Sequence, residues 1–381
     1  MFHIDRSEIQ SQLEAKGVDP NHIKALHVKL QSGELDHTSF VIPAEQLASP
    51  TTDDAHAYQA SSTDLGVEAL QADELLLFWL NGGAATRYGA QAYAHLPKGL
   101  TPVVDGVSYL ELKVKNLLLV TKQLQLPVHP QVVIMNSFVT DTQTRQHFAE
   151  LFKRYPDLDP NRFHFIIQQA RIPRFTRATE VNEIDVFVDN AGQLSWAPCG
   201  HGDFVYLLQE YFHTHPISKV KYMFFANIDN VAATLDPALL GMHIQSKRGR
   251  TVEVVNKLDT DQGGLPCKVN GEMMIVEQMK FPSNFAYQTL PWLNTNTFWF
   301  TLSDLLTYDS ELPWIIAEKT IPEGDVIQLE RFACDVNVSS QYVVVDRTQR
   351  FWPVKRYSDL LEYRQQPIFQ RLLKEQFSVT V

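Results

Sequence analysis

The sequence predicts an α/β fold with a mainly parallel, mixed sheet flanked by helices. Three observations carry this. Apolar runs such as ELLLFWL, QVVIMN, FHFIIQQ, YMFFANID, TVEVVNK and QYVVVD recur along the chain with little polar alternation. Strands buried on both faces read this way, and such burial is typical of parallel sheets covered by helices. Between several of them lie stretches of helical character, such as SYLELKVKNLLLVTKQL and TDTQTRQHFAELFKRY, which suits strand–helix–strand units. Finally, four successive apolar runs end in polar groups: Asn81 with Gly82 and Gly83, Asn136 with Ser137, Gln168 with Gln169, and Asn227 with Asp229 and Asn230. In open parallel sheets the ligand crevice lies beyond the carboxyl ends of the strands, so these groups are expected to converge there.

Taken in order, residues 1–65 read as an N-terminal helical region and linker. The segments SEIQSQLEAKG and PNHIKALHVKLQSG are helical, with Ser7 as a cap and Gly17 as a stop. ASPTTDDAHAYQASSTDL is small and polar and reads as a loop. Residues 66–360 carry the alternating pattern and form the expected α/β domain. Residues 361–381 form a short helical tail, with RQQPIFQRLLKEQF as its helix.

The first strand empties into NGGAATRYG, and Lys98 follows in LPKGL. Glycines let backbone N–H groups approach a phosphate closely, and a lysine supplies charge. The spacing fits neither a Walker A loop nor a dinucleotide fingerprint, and a plain turn is the alternative. Asp229 ends a buried strand. It is either a Mg²⁺ ligand or the cap of the next segment, VAATLDPALL. In WAPCGHGDF, Gly200 and Gly202 leave room for a ligand, and Asp203 is a candidate N-cap. His201 between them is a phosphate donor or a solvated turn residue. Asn270-Gly271 predicts a hairpin. Glu277 lies between apolar neighbours, where a half-buried carboxylate needs partners. WLNTNTFWF places Asn294 and Asn296 among large apolar groups, and RFWPVKRYSDL brings Lys355 onto a Pro-stiffened segment.

The net charge is −11, from 44 acidic and 33 basic residues. An acidic surface repels polyanions, so non-specific nucleic-acid binding is not expected, whereas a small phosphorylated ligand is compatible. Three widely spaced cysteines, without a CxxC, fit a reducing compartment such as the cytoplasm. MFHIDRSEIQ shows no apolar signal region, and no apolar run is long enough for a membrane span.

The ordered set LNGGxxTRxG…PKGL, MNSF, QQxxxPR, CGHGD, NIDN, VxxK…GG, NTNT and RFxPVK resembles the eukaryotic-type UTP–glucose-1-phosphate uridylyltransferases, within the UDP-sugar pyrophosphorylases. The resemblance covers roughly residues 70–360. It implies a Rossmann-like, nucleotidyltransferase-type fold and a Mg²⁺-dependent reaction of UTP with glucose 1-phosphate, giving UDP-glucose and pyrophosphate. It further implies in-line attack of the sugar phosphate on the α-phosphorus. By position, Gly82 and Gly83 hold the nucleotide, Lys98 meets its phosphates and Arg87 steadies pyrophosphate. Gln169 and Gly200 read uracil. His201 and Lys355 face the reacting phosphates, and Asp229 binds Mg²⁺. Asn227, Gly264, Glu277 and Asn296 contact sugar hydroxyls, with Lys257 nearby.

GHGD resembles the glucose branch, while the TR and KGL pairs resemble the N-acetylglucosamine branch; UDP-N-acetylglucosamine or broad UDP-sugar synthesis is the alternative. Ala85 stands where the family has glycine, which raises a further alternative: a non-catalytic UDP-sugar binder, or an enzyme awaiting a protein activator. The stretch between Gly89 and Pro97 is longer than in some relatives. Only 26 residues follow Lys355, so the family's C-terminal β-helix is not expected, and a monomer or small oligomer is.

Overall fold

The computed structural model describes residues 2–36, 40–83, 85, 88, 93, 96–169 and 171–379. Eight strands form the central sheet: β1 (His56–Ala57), β2 (Leu75–Asn81), β3 (Gln131–Ser137), β4 (Phe163–Gln168), β5 (Tyr222–Asn227), β6 (Arg250–Asn256), β9 (Trp292–Thr301) and β12 (Ser340–Val344). Two hairpins complete the numbering: β7 (Leu265–Val269) with β8 (Glu272–Val276), and β10 (Ile315–Ile321) with β11 (Gly324–Glu330). The sheet order is β1-β12-β6-β9-β5-β2-β3-β4. Only β9 runs antiparallel to its neighbours in this sheet; the other pairs are parallel. The predicted mainly parallel mixed sheet is therefore present.

Strand β2 shows why the apolar runs lack alternation. Leu75, Leu77 and Trp79 pack into one buried cluster, and Leu76, Phe78 and Leu80 into another on the opposite face. The first face is covered by α3 (Thr63–Gln71), α4 (Tyr109–Gln123), α5 (Asp141–Arg154), α7 (Pro237–Ser246) and α11 (Pro367–Phe377); the short α8 (Leu302–Leu306) and α9 (Arg347–Arg350) complete the helix numbering. The second is covered by α6 (Phe204–Thr214), which buries Phe204, Val205, Leu208 and Phe212. A third cluster joins α1 (Ser7–Ala15) and α2 (Pro20–Gln31) to Ile172, Phe175 and the β10–β11 hairpin.

Some local expectations change. Helix α1 starts at Ser7, with Arg6 in the cap position and no side-chain cap, while Gly17, at φ +69°, does end it. The tail breaks into α10 (Tyr357–Arg364) and α11, because Pro367 has no N–H and can only begin a helix. The Asn270-Gly271 turn forms as expected, with φ of 51° and 89°. No described helix is long and apolar enough to cross a membrane. The described residues after Lys355 form helices and no β-helix.

Candidate active site

The polar strand ends divide into two groups. Asn81 and Asn136 turn inward rather than into a crevice. Asn81 Nδ2 donates to Asn136 Oδ1 at 2.8 Å and to Thr144 Oγ1 at 2.9 Å, and Asn136 Nδ2 donates to Asp141 Oδ1 at 2.9 Å. They knit β2, β3 and α5 together beneath the glycine loop, and Ser137 Oγ donates to the Gly82 carbonyl at 2.8 Å. The second group opens onto a cleft of about 300 Å³ lined by Gly82, Gly83, Lys98, Gly200, His201, Asn227 and Asp229.

Asp229 is the centre of that cleft. Lys98 Nζ donates to its Oδ2 at 2.7 Å and Lys355 Nζ donates to the same oxygen at 3.1 Å. Burial alone would push this carboxyl up, but Lys355 and Lys98 outweigh burial and hold it well below the usual carboxylate range. The capping alternative fails. Residues 230–236 form no helix, and α7 begins at Pro237 with Asp236 as its cap. Asp229 Oδ1 is buried and has no hydrogen-bond partner among the described residues. An unsatisfied buried carboxylate oxygen fits a hard cation. No group of three or more His, Cys, Asp or Glu side chains is gathered for a metal among the described residues, so Asp229 is the one carboxylate in the cleft lining beside Glu330.

The Gly200 loop forms the opposite wall. Gly200 has φ +82°, and a Cβ there would lie 2.5 Å from the Arg331 carbonyl oxygen, so only glycine fits without strain. His201 Nδ1 accepts the Ala333 N–H at 2.9 Å, which leaves Nε2 carrying the proton of the neutral ring. Burial, with Lys355 adding repulsion, pushes the imidazole down to about 4. At neutral pH His201 is thus an uncharged donor.

Asp203 sits at the start of α6 without capping it; its Oδ2 instead accepts Gln168 Nε2 at 3.0 Å. The same Gln168 nitrogen donates to the Gly200 carbonyl at 2.8 Å. Gln169, the sequence candidate, is exposed and lines a neighbouring cavity of about 680 Å³ shared with the turn between α1 and α2, His22 of α2 and Gln168. Asn227 Oδ1 accepts Asn296 Nδ2 at 3.0 Å, and Asn296 adopts φ +54°, so these two are brought together. Gly264 packs against Glu277, since a Cβ there would lie 2.8 Å from Glu277 Oε1. Burial pushes the Glu277 carboxyl up, reinforced by Asp335. Lys257 Nζ donates to the Gln288 carbonyl at 3.0 Å. Gly264, Glu277, Asn296 and Lys257 are not among the residues lining the Asp229 cleft. Arg87 lies outside the described residues, as does most of the Gly89–Pro97 stretch. Ala85 is buried, and its N–H donates to the Leu96 carbonyl at 3.2 Å.

Sequence reasoning missed Gln328 and Glu330, which line the cleft from β11. Gln328 Nε2 donates to the Pro198 carbonyl at 3.1 Å and to Glu330 Oε1 at 2.9 Å. Their period-2 spacing around Leu329 marks a shared strand face, but not which face meets the cleft.

A mainly parallel sheet thus carries a lysine-flanked carboxylate and glycine loops at its strand ends. The UTP–glucose-1-phosphate uridylyltransferase family model matches residues 27–373, and the chain belongs to that family. It is 28% identical over 302 residues to the UTP–glucose-1-phosphate uridylyltransferase of Encephalitozoon cuniculi, covering 75% of this chain and 57% of that protein. It is 27% identical over 334 residues to the probable UTP–glucose-1-phosphate uridylyltransferase of Schizosaccharomyces pombe, covering 82% and 63%. The chain thus spans about three fifths of the length of these curated relatives. A UDP-glucose phosphorylase structure from Trypanosoma brucei superposes with a TM-score of 0.71 at 24% identity, covering 93% of this chain and 77% of that one. A uridine diphosphate N-acetylglucosamine pyrophosphorylase from the same organism superposes with a TM-score of 0.71 at 18% identity, covering 94% and 80%. These two likenesses bear on the fold, and they do not separate the sugar branches.

Proposed function

We propose that the chain transfers a uridylyl group from UTP to glucose 1-phosphate, releasing pyrophosphate. The observation that carries this is the Lys98–Asp229–Lys355 cluster facing neutral His201 across a glycine-walled cleft. A phosphate oxygen of the sugar phosphate forms a bond to the α-phosphorus. The bond from that phosphorus to the pyrophosphate oxygen breaks, and the electron pair leaves with pyrophosphate. Catalysis of this kind rests on positioning and charge neutralisation. Lys98 and Lys355 supply positive charge at the phosphates, and His201 offers its Nε2–H to a phosphate oxygen without adding charge. The Gly82-Gly83 and Gly200 backbones give the nucleotide close approach, and Asn227 with Asn296 orients sugar hydroxyls. Mg²⁺, when bound, neutralises phosphate charge, and Asp229 would hold it through Oδ1.

The free, buried cysteines suit a reducing compartment such as the cytoplasm. The TR and KGL pairs keep UDP-N-acetylglucosamine synthesis as a second reading. Pyrophosphate release from UTP with Mg²⁺ and a panel of sugar 1-phosphates tests both. Release with glucose 1-phosphate supports the first, and release with N-acetylglucosamine 1-phosphate alone transfers the assignment. Silence across the panel, with UDP-glucose still bound in calorimetry, marks a binder or an enzyme needing an activator.

A further inference from the structure

The segment after Asp229 has no regular structure, yet it is buried. Residues Asn230, Val231, Ala232, Ala233, Thr234 and Leu235 are all 5% exposed or less. Its carbonyls have no helix or sheet ladder to satisfy them, and an unpaired buried carbonyl is costly. Lys113, on α4, meets this need from a core position. It is 3% exposed and flanked on its helix by Leu110, Leu112, Val114 and Leu117, all fully buried. Its Nζ donates to the Asn230 carbonyl at 2.8 Å and the Ala233 carbonyl at 2.6 Å, with Val231 at 3.5 Å. An ammonium has three donors and no acceptor, so one atom can serve carbonyls that diverge. Burial pulls this amine down to about 7, with Arg350 adding to the effect and Asp229 and Glu253 opposing it.

The same segment is fastened from the other side. Arg350 donates to the Thr234 carbonyl at 2.9 Å and forms a two-pronged pair with buried Glu253 at 2.7 and 2.9 Å. Asn230 spans to the Arg350 carbonyl at 3.0 Å and the Trp352 N–H at 2.9 Å. The Asp229 carbonyl accepts the Val354 N–H at 3.0 Å, one residue before Lys355. The backbone that carries Asp229 and the backbone that carries Lys355 are therefore one connected unit; Lys113 anchors its Asn230–Ala233 part to α4, and Asn116 Oδ1, accepting the Leu235 N–H at 3.1 Å, anchors its far end.

We propose that Lys113 is a positioning residue for the reacting centre: by holding the Asn230 and Ala233 carbonyls it keeps Asp229 between Lys98 and Lys355. This rests on the uridylyltransferase reading of the cleft. It needs no contact between Lys113 and substrate.

The test is a double-mutant cycle with Lys113→Met and Asp229→Asn. Pyrophosphate release is measured for each single variant and for the combination, and UTP affinity is measured by calorimetry. Lys113→Met is expected to lower kcat at least tenfold while changing UTP affinity less than threefold. In the Asp229→Asn background it is expected to change kcat less than twofold, because the residue it acts through is already altered. Lys113→Arg, which keeps charge and donors, is expected to recover part of the loss. An equal fold-loss in both backgrounds overturns the proposal, since that is what a merely structural role produces. Should Lys113→Met fail to fold, Lys113→Gln takes its place in the cycle. Urea midpoints of the same four proteins, without substrate, give a second measure: non-additive shifts support the coupling and additive shifts refute it. If wild type neither binds UTP nor releases pyrophosphate, the functional reading has failed, and the urea cycle still decides the positioning claim.

Discussion

Lys98→Met removes one charge from the cleft while keeping side-chain length. Lys98 lies on a short turn whose N–H donates to the Gly83 carbonyl at 2.9 Å, so its backbone is tied to the glycine loop. Its side chain is only 14% exposed and reaches Asp229 at 2.7 Å, so water screens it weakly. Two unit charges about 4 Å apart at an effective dielectric of about 20 attract by about 4 kcal/mol. Removing one preorganised contact to developing charge costs about 2.7–4 kcal/mol in measured cases. That range corresponds to a loss of about 100- to 1,000-fold in turnover. The assay is kcat for pyrophosphate release from UTP and glucose 1-phosphate, with UTP affinity measured in parallel. A kcat within tenfold of wild type would refute the reasoning, because a cation that meets the phosphates in a weakly screened cleft is not that dispensable, and Lys98 would then leave the proposed reacting centre. Lys355, 52% exposed, is more strongly screened, and Lys355→Met is expected to cost less than Lys98→Met.

Three further outcomes are expected. Gly200→Ala places a Cβ 2.5 Å from the Arg331 carbonyl oxygen at φ +82°. This positive-φ, extended-ψ conformation alone costs a non-glycine residue about 1–3 kcal/mol, so the melting temperature falls and UTP affinity drops at least tenfold; unchanged values for both would remove the loop from the site. Ala85→Gly deletes a methyl that is 2% exposed and lowers stability by about 1 kcal/mol without lowering UTP turnover. A sharp loss of turnover would show a loop adapted to alanine. Burial pushes His243 down to about 4, as it does His201. The unfolded chain takes up these protons near pH 6.5 and the folded chain refuses them, so stability is full above that pH and declines toward pH 4. Each histidine contributes up to about 3 kcal/mol to that decline. Urea midpoints at pH 7 and 4.5 should differ less in His243→Gln than in wild type, and an undiminished difference would contradict the assignment to His243.

Helices and strands are legible where one residue pattern has one physical meaning. Continuous apolar runs such as Leu75–Leu80, too short for a helix and ended by glycines, point to a strand buried on both faces, and Asn270-Gly271 points to a tight turn. Glycine loops beside Lys98 and around His201 read either as a ligand site or as plain turns, and the fold brings both to one cleft. Ambiguity begins where a polar side chain has two plausible partners. Asn81 and Asn136 read as cleft residues, yet they bond each other and α5. Asp229 reads equally as a helix cap or a ligand, and the irregular chain after it decides between them. Gln168 and Gln169 share one dipeptide, and only the pleat of β4 turns Gln168 toward the Gly200 loop.

The sequence by itself therefore determined the α/β class, six of the eight strands of the central sheet and the family to which the chain belongs, because these depend on local composition and the order of short segments. Tertiary structure alone decided that Lys98 and Lys355, far apart in the chain, meet on one carboxylate oxygen. It alone set Gln328 and Glu330 against the cleft and buried Lys113 among loop carbonyls. Such pairings depend on which faces the folded elements present to one another, and that information lies in no single stretch of the chain.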